Sequence, residues 1–242
     1  IVYVDGNAPK SVAAELRRLA TERVELLRVD HYLAPNAARN IGFTRVETPY
    51  VVFLDNDAWV WDDWLLPLVN GAEETGAGAV GPLYLQGDRN APEVHMAGGL
   101  AHIEVRNGKR RLRHNHYLQG ERLRDLTVPL ERCETEQIEF HGMLVDAQLL
   151  RSIGGLDEGL LCTREHIDLC MTLRNLGKSV FLEPASRLTY TRPPPFALSD
   201  LRYFSLRWSE DWSVRTLDHF FAKWDLDRDQ IPFLMTWVKK QR

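Results

Sequence analysis

The stretch VVFLDNDAWV, residues 51–60, is an apolar run that ends in two carboxylates, Asp55 and Asp57, held one residue apart. Aliphatic and aromatic residues over Val51–Leu54 predict a buried strand, which puts both acids at its carboxyl end. Asp and Asn are ordinary turn formers, so a surface turn is the plain explanation. Paired hard oxygen ligands at a strand end also suit Mg²⁺ or Mn²⁺, ions that usually bind together with substrate phosphates. The rest of the chain has to decide between the two readings.

Working outward, strand signals alternate with helical ones through the first 85 residues. IVYVD (1–5) is an apolar run ending in Asp5, and SVAAELRRLATE (11–22) has helical spacing at Val12, Leu16 and Leu19. VELLRVD (24–30) reads as a strand, NAARNIGFTRVE (36–47) and WDDWLLPLVNGAEE (61–74) as helices, and AVGPLYL (79–85) as a strand. This alternation predicts βαβ units and a mostly parallel sheet, in which ligands gather at the carboxyl ends of strands. Asp5, Asp55 and Asp57 all stand at such ends, which favours a functional site. A parallel sheet seldom begins as abruptly as IVYVDGNAP does, so further residues upstream are expected.

Residues 86–136 loosen into polar sequence with antiparallel strands in LAHIEVRNGKRRLRHNHYL (100–118). The Lys and Arg cluster at 106–113 is either a solvated hairpin tip or a contact for something anionic. QIEFHGMLVDAQLLRSIGGLDE (137–158) predicts a strand and a short helix closed by Gly154 and Gly155. REHIDLCMTLRNLG (164–177) predicts a helix with His166, Leu169, Cys170, Leu173 and Leu176 on one face and Gly177 as its C-cap. In its first turn Glu165 and Asp168 project near one another, with His166 about 100° round from Glu165. The helix macrodipole alone favours acids there, and His166 fits a packed, hydrogen-bonded histidine equally well. SVFLEP (179–184) is a strand, and Pro193–Pro195 exclude regular structure from TRPPPF (191–196). In the aromatic tail, Leu217, Phe220, Phe221 and Trp224 form an apolar helical stripe expected to pack back on the domain or on a partner chain.

The bulk properties narrow the function classes. A chain of 242 residues makes one large α/β domain or two small ones. A formal net charge of −4 implies no general affinity for nucleic acid or anionic membrane. Three cysteines without a CxxC pair make neither a disulfide framework nor a zinc–thiolate site. No apolar stretch of membrane-spanning length and no signal-peptide pattern is present. A cytoplasmic protein is expected, with peripheral association at the inner face of the membrane and homo-oligomerisation left open.

Here the chain resembles a known family. NAARNIGF followed by YVVFLDNDAWV looks like the ARN-then-DxD segment of inverting family 2 glycosyltransferases with the GT-A fold. IVYVDGNAP resembles that family's second strand and turn, and GMLVDAQLLRSIGGLDEGL is similar to its acceptor-side strand and helix. REHIDLCMTLRNLGKSVFLEPASRLTY is similar to its acid-rich helix and following strand. The likenesses run in order from residue 1 to about 192. They imply a GT-A type α/β fold: a Rossmann-like, mostly parallel sheet flanked by helices, a small antiparallel portion and a helical C-terminal tail. A nucleotide-sugar half (about 1–85) and an acceptor half (about 86–192) would form the core, with 193–242 as the extension.

The resemblance also implies roles. Asp55 and Asp57 would hold Mn²⁺ or Mg²⁺ on the diphosphate of a nucleotide-sugar donor. Asp5, Arg39, Asn40, Asp55 and Asn56 would contact that donor, and the acceptor would be a carbohydrate or lipid-linked hydroxyl. One group of Glu165, His166 and Asp168 would deprotonate this hydroxyl. Three departures stand out. His166 replaces the family's usual Asp base, Tyr190 replaces its metal-binding His, and the family's first strand with its nucleotide loop is not in this sequence. Two other readings compete. A non-catalytic nucleotide- or sugar-binding module on a degenerate GT-A fold accounts for the replacements. A haloacid-dehalogenase-type phosphatase also ends a strand in Asp-x-Asp, but on its first strand, whereas here a strand ending in Asp5 comes earlier.

Overall fold

The computed structural model describes residues 1–190 and 197–241, with side chains described to residue 236. The Pro-rich stretch 191–196 and the boundary expected at 192/193 lie outside the described residues. The first half of the chain forms β1 (Val2–Gly6), α1 (Lys10–Leu19), β2 (Glu25–Val29), α2 (Pro35–Phe43), β3 (Tyr50–Leu54), β4 (Ala58–Val60), α3 (Leu65–Thr75), β5 (Ala79–Gln86), β6 (Glu93–Met96), β7 (Gly99–Arg106) and β8 (Lys109–His116). There follow β9 (Cys133–Glu134), β10 (Gly142–Asp146), α4 (Ala147–Ser152), α5 (Glu165–Asn175), β11 (Val180–Tyr190), α6 (Leu201–Arg207), α7 (Glu210–Lys223) and α8 (Ile231–Gln241). These elements form two compact units, one of Ile1–Glu47, Ile153–Glu165 and Pro195–Arg242, the other of Thr48–Ser152 and His166–Pro194.

In the first unit β1 and β2 pair in parallel, Val2 opposite Glu25 through Gly6 opposite Val29. The chain turns after β1 on Asp5, whose Oδ1 accepts from Ala8 N at 2.7 Å and whose Oδ2 pairs with Arg28. Helix α2 starts at Pro35, whose fixed φ suits a first turn. Its polar side holds the segment 153–165. Asn36 Nδ2 donates to Asp157 O at 2.9 Å, and Asn40 exchanges two hydrogen bonds with the backbone of Leu156, at 2.8 and 2.9 Å. Gly155 has φ of 91°, and a Cβ there would stand 3.0 Å from Asn40 Oδ1, so glycine suits the spot on both counts. Helix α7 is capped by Ser209, whose hydroxyl accepts from Trp212 N. It buries Leu217, Phe220 and Phe221, each no more than 2% exposed, while Trp224, the fourth residue of the expected stripe, is half-buried. Each such burial contributes on the order of 2 kcal/mol. Thr216 Oγ1 accepts from Leu161 N at 2.9 Å, and Asp157 accepts from Lys223 Nζ at 2.8 Å. The tail therefore packs back on segment 153–165.

The second unit is built on a seven-stranded sheet of order β3-β10-β5-β11-β4, with β6 beside β5 and β9 beside β11. Strands β3, β5 and β11 run in one direction, because β10 is antiparallel to both β3 and β5 while β11 is parallel to β5. This shared direction is the α/β framework read from the sequence, and β4, β6, β9 and β10 add antiparallel pairings to it. Central β5 is buried almost throughout although it contains Pro82. Its neighbour β11 shifts register between Glu183 and Arg187 opposite that point, and such an irregularity is where a sheet tolerates a missing N–H. Helix α3 admits Pro67 because the first turn needs no N–H donor there. It ends on left-handed Gly76 and seals Leu68 and Ala72 against Val80 and Leu144.

Several local expectations shift. The helix expected from Trp61 begins at Leu65, and Ala58–Val60 form β4 instead. The strand expected from Gln137 begins at Gly142. Residues 86–136 are more ordered than their polarity suggests, since β6 joins the main sheet and β7 pairs with β8. Asn107 and Gly108 (φ 53° and 73°) close that hairpin with the left-handed geometry of a tight turn, so the basic cluster is a hairpin tip. On α5, Leu169, Cys170 and Leu173 are buried as expected, but Leu176 is 52% exposed. Gly177 (φ 72°) terminates the helix there, and Lys178 N donates back to Leu173 O, so the last turn emerges into solvent.

Candidate functional site

Strand pairing assembles the site inside the second unit. Asp55 follows the last residue of β3, and Ala58 N donates to Asp55 O across a turn that carries exposed Asn56 and half-buried Asp57. On one side β10 pairs with β3, Gly142 opposite Leu54, which brings His141 level with Asp55. His141 Nδ1 lies 3.1 Å from Asp55 Oδ2. A Cβ on Gly142 would collide with the Leu188 side chain, so only glycine lets β10 pass here and deliver His141. On the other side β4 pairs with β11, Ala58 opposite Tyr190. Tyr190 stacks 4.7 Å from the His141 ring, centroid to centroid.

Asp55, Asp57 and His141 offer three ligand atoms that all lie within 4.8 Å of one another. Burial, then the charge of Asp55, pushes the Asp57 carboxyl above its usual range, while His141 opposes this. Burial alone would lower the His141 imidazole, but the hydrogen bond to Asp55 and the charges of Glu139, Asp55 and Asp57 raise it overall. The Tyr190 phenol is pushed up by burial and by Asp57, Asp55 and Glu139, so it stays protonated at neutral pH. A protonated phenol is a poor ligand, and the imidazole that the resemblance places at residue 190 is offered by His141 instead. These carboxylates crowd like charges together, and a divalent cation relieves that crowding.

Behind His141 stands Glu139. Its backbone is pinned by the buried Tyr84 hydroxyl, which donates to Glu139 O at 2.7 Å and accepts from Glu139 N at 2.9 Å. Four histidines surround its carboxylate. His95 Nε2 is 2.9 Å from Oε2, His141 Nε2 is 3.6 Å from Oε2, and His116 Nε2 is 3.6 Å from Oε1. Ligand atoms of His116, Glu139 and His166 also lie within 4.8 Å of one another. Burial would raise the Glu139 carboxyl, but the His95 hydrogen bond and the positive potential of His166, His95 and His141 hold it well below the usual range.

The structure thus brings together Asp55, Asp57 and, through Glu139, His166. Glu165 and Asp168 are buried in the first turn of α5. Asp5, Arg39 and Asn40 belong to the first unit. There Asp5 holds a turn, Arg39 donates to Asn36 Oδ1 at 3.2 Å, and Asn40 ties down residues 156–158. Sequence reasoning missed His141, Glu139, His95 and His116. The available signal was Glu139-Phe140-His141, a second pair of ligand-type residues one residue apart, just ahead of a strand.

Residues 1–125 match the family described as Glycosyl transferase family 2, and the chain belongs to that family. Its fold is similar to a crystal structure of GalNAc-T7 with UDP, GalNAc and Mn²⁺, with a TM-score of 0.58 at 16% sequence identity. The match covers 100% of this chain and 48% of that one, so the chain spans about half the length of that relative and shares its fold. No curated protein sequence matches significantly.

Proposed function

We propose that this chain is a metal-dependent inverting glycosyltransferase. It would move a sugar from a nucleotide-diphosphate sugar to an acceptor hydroxyl in glycan, glycolipid or polysaccharide synthesis. The observation that carries the reading is the convergence of Asp55, Asp57 and His141 within 4.8 Å. Two carboxylates and one imidazole fit Mn²⁺, with Mg²⁺ the harder alternative. A divalent ion held there supplies charge neutralisation for the departing diphosphate.

The chain's own residues would do the rest. His166 stands in the family's base position and accepts the proton of the acceptor hydroxyl as its oxygen bonds to the anomeric carbon and the bond to the diphosphate breaks. The buried Glu139 carboxylate beside His166 stabilises the imidazolium that forms. Glu165 or Asp168 orients His166 or acts in its place, and a positioned base of this kind contributes roughly 10²–10⁴-fold. Asp5, Arg39, Asn40, Asp55 and Asn56 are proposed donor contacts. Among the described residues no helix is long and apolar enough to cross a membrane. Cytoplasmic placement, peripheral contact with a lipid-linked acceptor and self-association belong to the proposal.

The test is a thermal-shift screen of nucleoside diphosphates with and without Mn²⁺. A ligand at 100 times its Kd stabilises by roughly 2.7 kcal/mol, and Asp57→Ala should erase the Mn²⁺-dependent part. Equal binding by that variant would remove the metal role. His166 in place of the family's acid favours one second reading, a binding module without turnover. Nucleotide-sugar binding with no detectable transfer or hydrolysis in Mn²⁺ would select it.

A further inference from the structure

More imidazoles gather at Glu139 than the carboxylate site needs. His141 turns Nδ1 to Asp55 and Nε2 towards Glu139, so one ring completes the first site. His95, His116 and His166 remain around the same buried carboxylate, delivered by β6, β8 and α5. We propose that Glu139, His116 and His166, whose ligand atoms lie within 4.8 Å of one another, form a second cation site, for a divalent ion that prefers imidazole, of the Zn²⁺ or Co²⁺ kind, with His95 holding the other carboxylate oxygen of Glu139, and that an ion there withholds His166 from catalysis. The last clause rests on His166 being the base; the site itself does not.

The donor chemistry separates the two sites. Two carboxylates and one imidazole suit a hard ion, whereas two imidazoles and one carboxylate make the three-ligand set that Zn²⁺ takes with a fourth position open. The geometry is already contracted. Ligand atoms of His116, Glu139 and His166 lie within 4.8 Å of one another, and His95 Nε2 is 2.9 Å from Glu139 Oε2. His95 is also oriented from behind, its Nδ1 lying 3.3 Å from Gln86 Oε1. An outer partner of this kind orients the carboxylate that would hold the ion. Tyr84 fixes the Glu139 backbone from below, so the set is held rather than gathered on binding.

A cation bound by His166 uses the lone pair that would receive the acceptor's proton. Occupancy of the second site and transfer therefore exclude one another.

The experiment uses the full chain stripped with chelator, then held in excess Mg²⁺ to fill the first site. Zn²⁺ stoichiometry is read by equilibrium dialysis, and Co²⁺ by the visible absorption of a nitrogen-rich, four-coordinate ion. One Zn²⁺ per chain is expected in Mg²⁺. It should be retained in Asp57→Asn and weakened by on the order of 10–100-fold or more in His116→Gln and Glu139→Gln. If His116→Gln does not fold by circular dichroism, His166→Gln carries the same expectation. Binding that vanishes in Asp57→Asn and is unchanged in His116→Gln would show competition for the first site alone and overturn the proposal. Lack of Zn²⁺ binding in Mg²⁺, with Mn²⁺-dependent nucleotide binding intact, overturns this site and leaves the proposed function standing. The reverse pattern keeps this site and overturns that function.

Discussion

The acid pair past β3 and the histidine cluster around Glu139 lie in one unit and share His141, yet they are built in opposite ways. Asp55 and Asp57 come from a single turn, whereas His95, His116, Glu139 and His166 come from two strands, a loop and a helix and meet only in the folded chain. Their electrostatics differ as well. Asp57 is held above its usual range by burial and by its neighbour's charge. Glu139 is held below its range because its histidines outweigh the cost of burial, so that cluster is balanced before any ion arrives. A short local motif thus advertises its site. A site assembled over long sequence distances can be satisfied from within and leave little trace in the chain.

The largest effect expected from breaking this contrast is at the acid pair. Asp57→Ala should abolish Mn²⁺-dependent nucleotide binding in calorimetry while leaving the unfolding midpoint unchanged or slightly raised, since a half-buried carboxylate repelled by its neighbour is removed. Next comes the residue that both clusters share. His141→Gln should weaken Mn²⁺ by roughly 10–100-fold and also disturb the Glu139 side. A variant that binds Mn²⁺ normally would break the link between the clusters. Smaller again is the effect at His166. If its imidazole is the base, His166→Asp should keep part of the transfer rate and move the acid limb of the pH–rate profile downwards, because a carboxylate accepts protons at lower pH than an imidazole does. An unmoved acid limb would place the base on Glu165 or Asp168.

The smallest effect is expected where neither cluster is touched. Burial would raise the Asp157 carboxyl, but Lys223, His219 and the Gly159 N–H lower it overall. A depressed carboxyl contributes stability that is complete above its unfolded value, about 3.9, and is lost as pH falls through the folded value. Asp157→Asn should therefore cost about 0.5–1 kcal/mol at pH 7 in urea unfolding. The difference from wild type should shrink below about pH 4. A difference that is constant with pH would mean that shape, not charge, is what Asp157 supplies.

The same contrast explains what was legible in the sequence. Val51–Leu54 carry strand propensity and end in both acids, so the strand and the carboxylates past its end could be read from ten residues. The helices α1 and α5 announced themselves by period, and the stripe of Leu217, Phe220 and Phe221 by spacing. His141 was not legible because its place beside Asp55, 86 residues earlier, depends on β10 pairing with β3. His95 and His116 sit in a polar stretch whose strands are specified by partners rather than by alternation. Ala58–Val60 were hidden for a similar reason: a three-residue strand has no period, and β11 defines it.

The ties between α2 and segment 153–165 have a consequence for how the molecule is made. Asn36 bonds to Asp157 across 121 residues, and Leu161 bonds in turn to Thr216. A chain emerging from the ribosome at roughly 5–20 residues per second exposes α2 on the order of 10–40 s before α7 exists. During that interval the second unit can close on its own residues up to β11, while β1 to α2 wait without their packing partners. The waiting stretch would be the natural place for a chaperone to bind, and slowed synthesis between Asn175 and Trp224 should lengthen its exposure to protease.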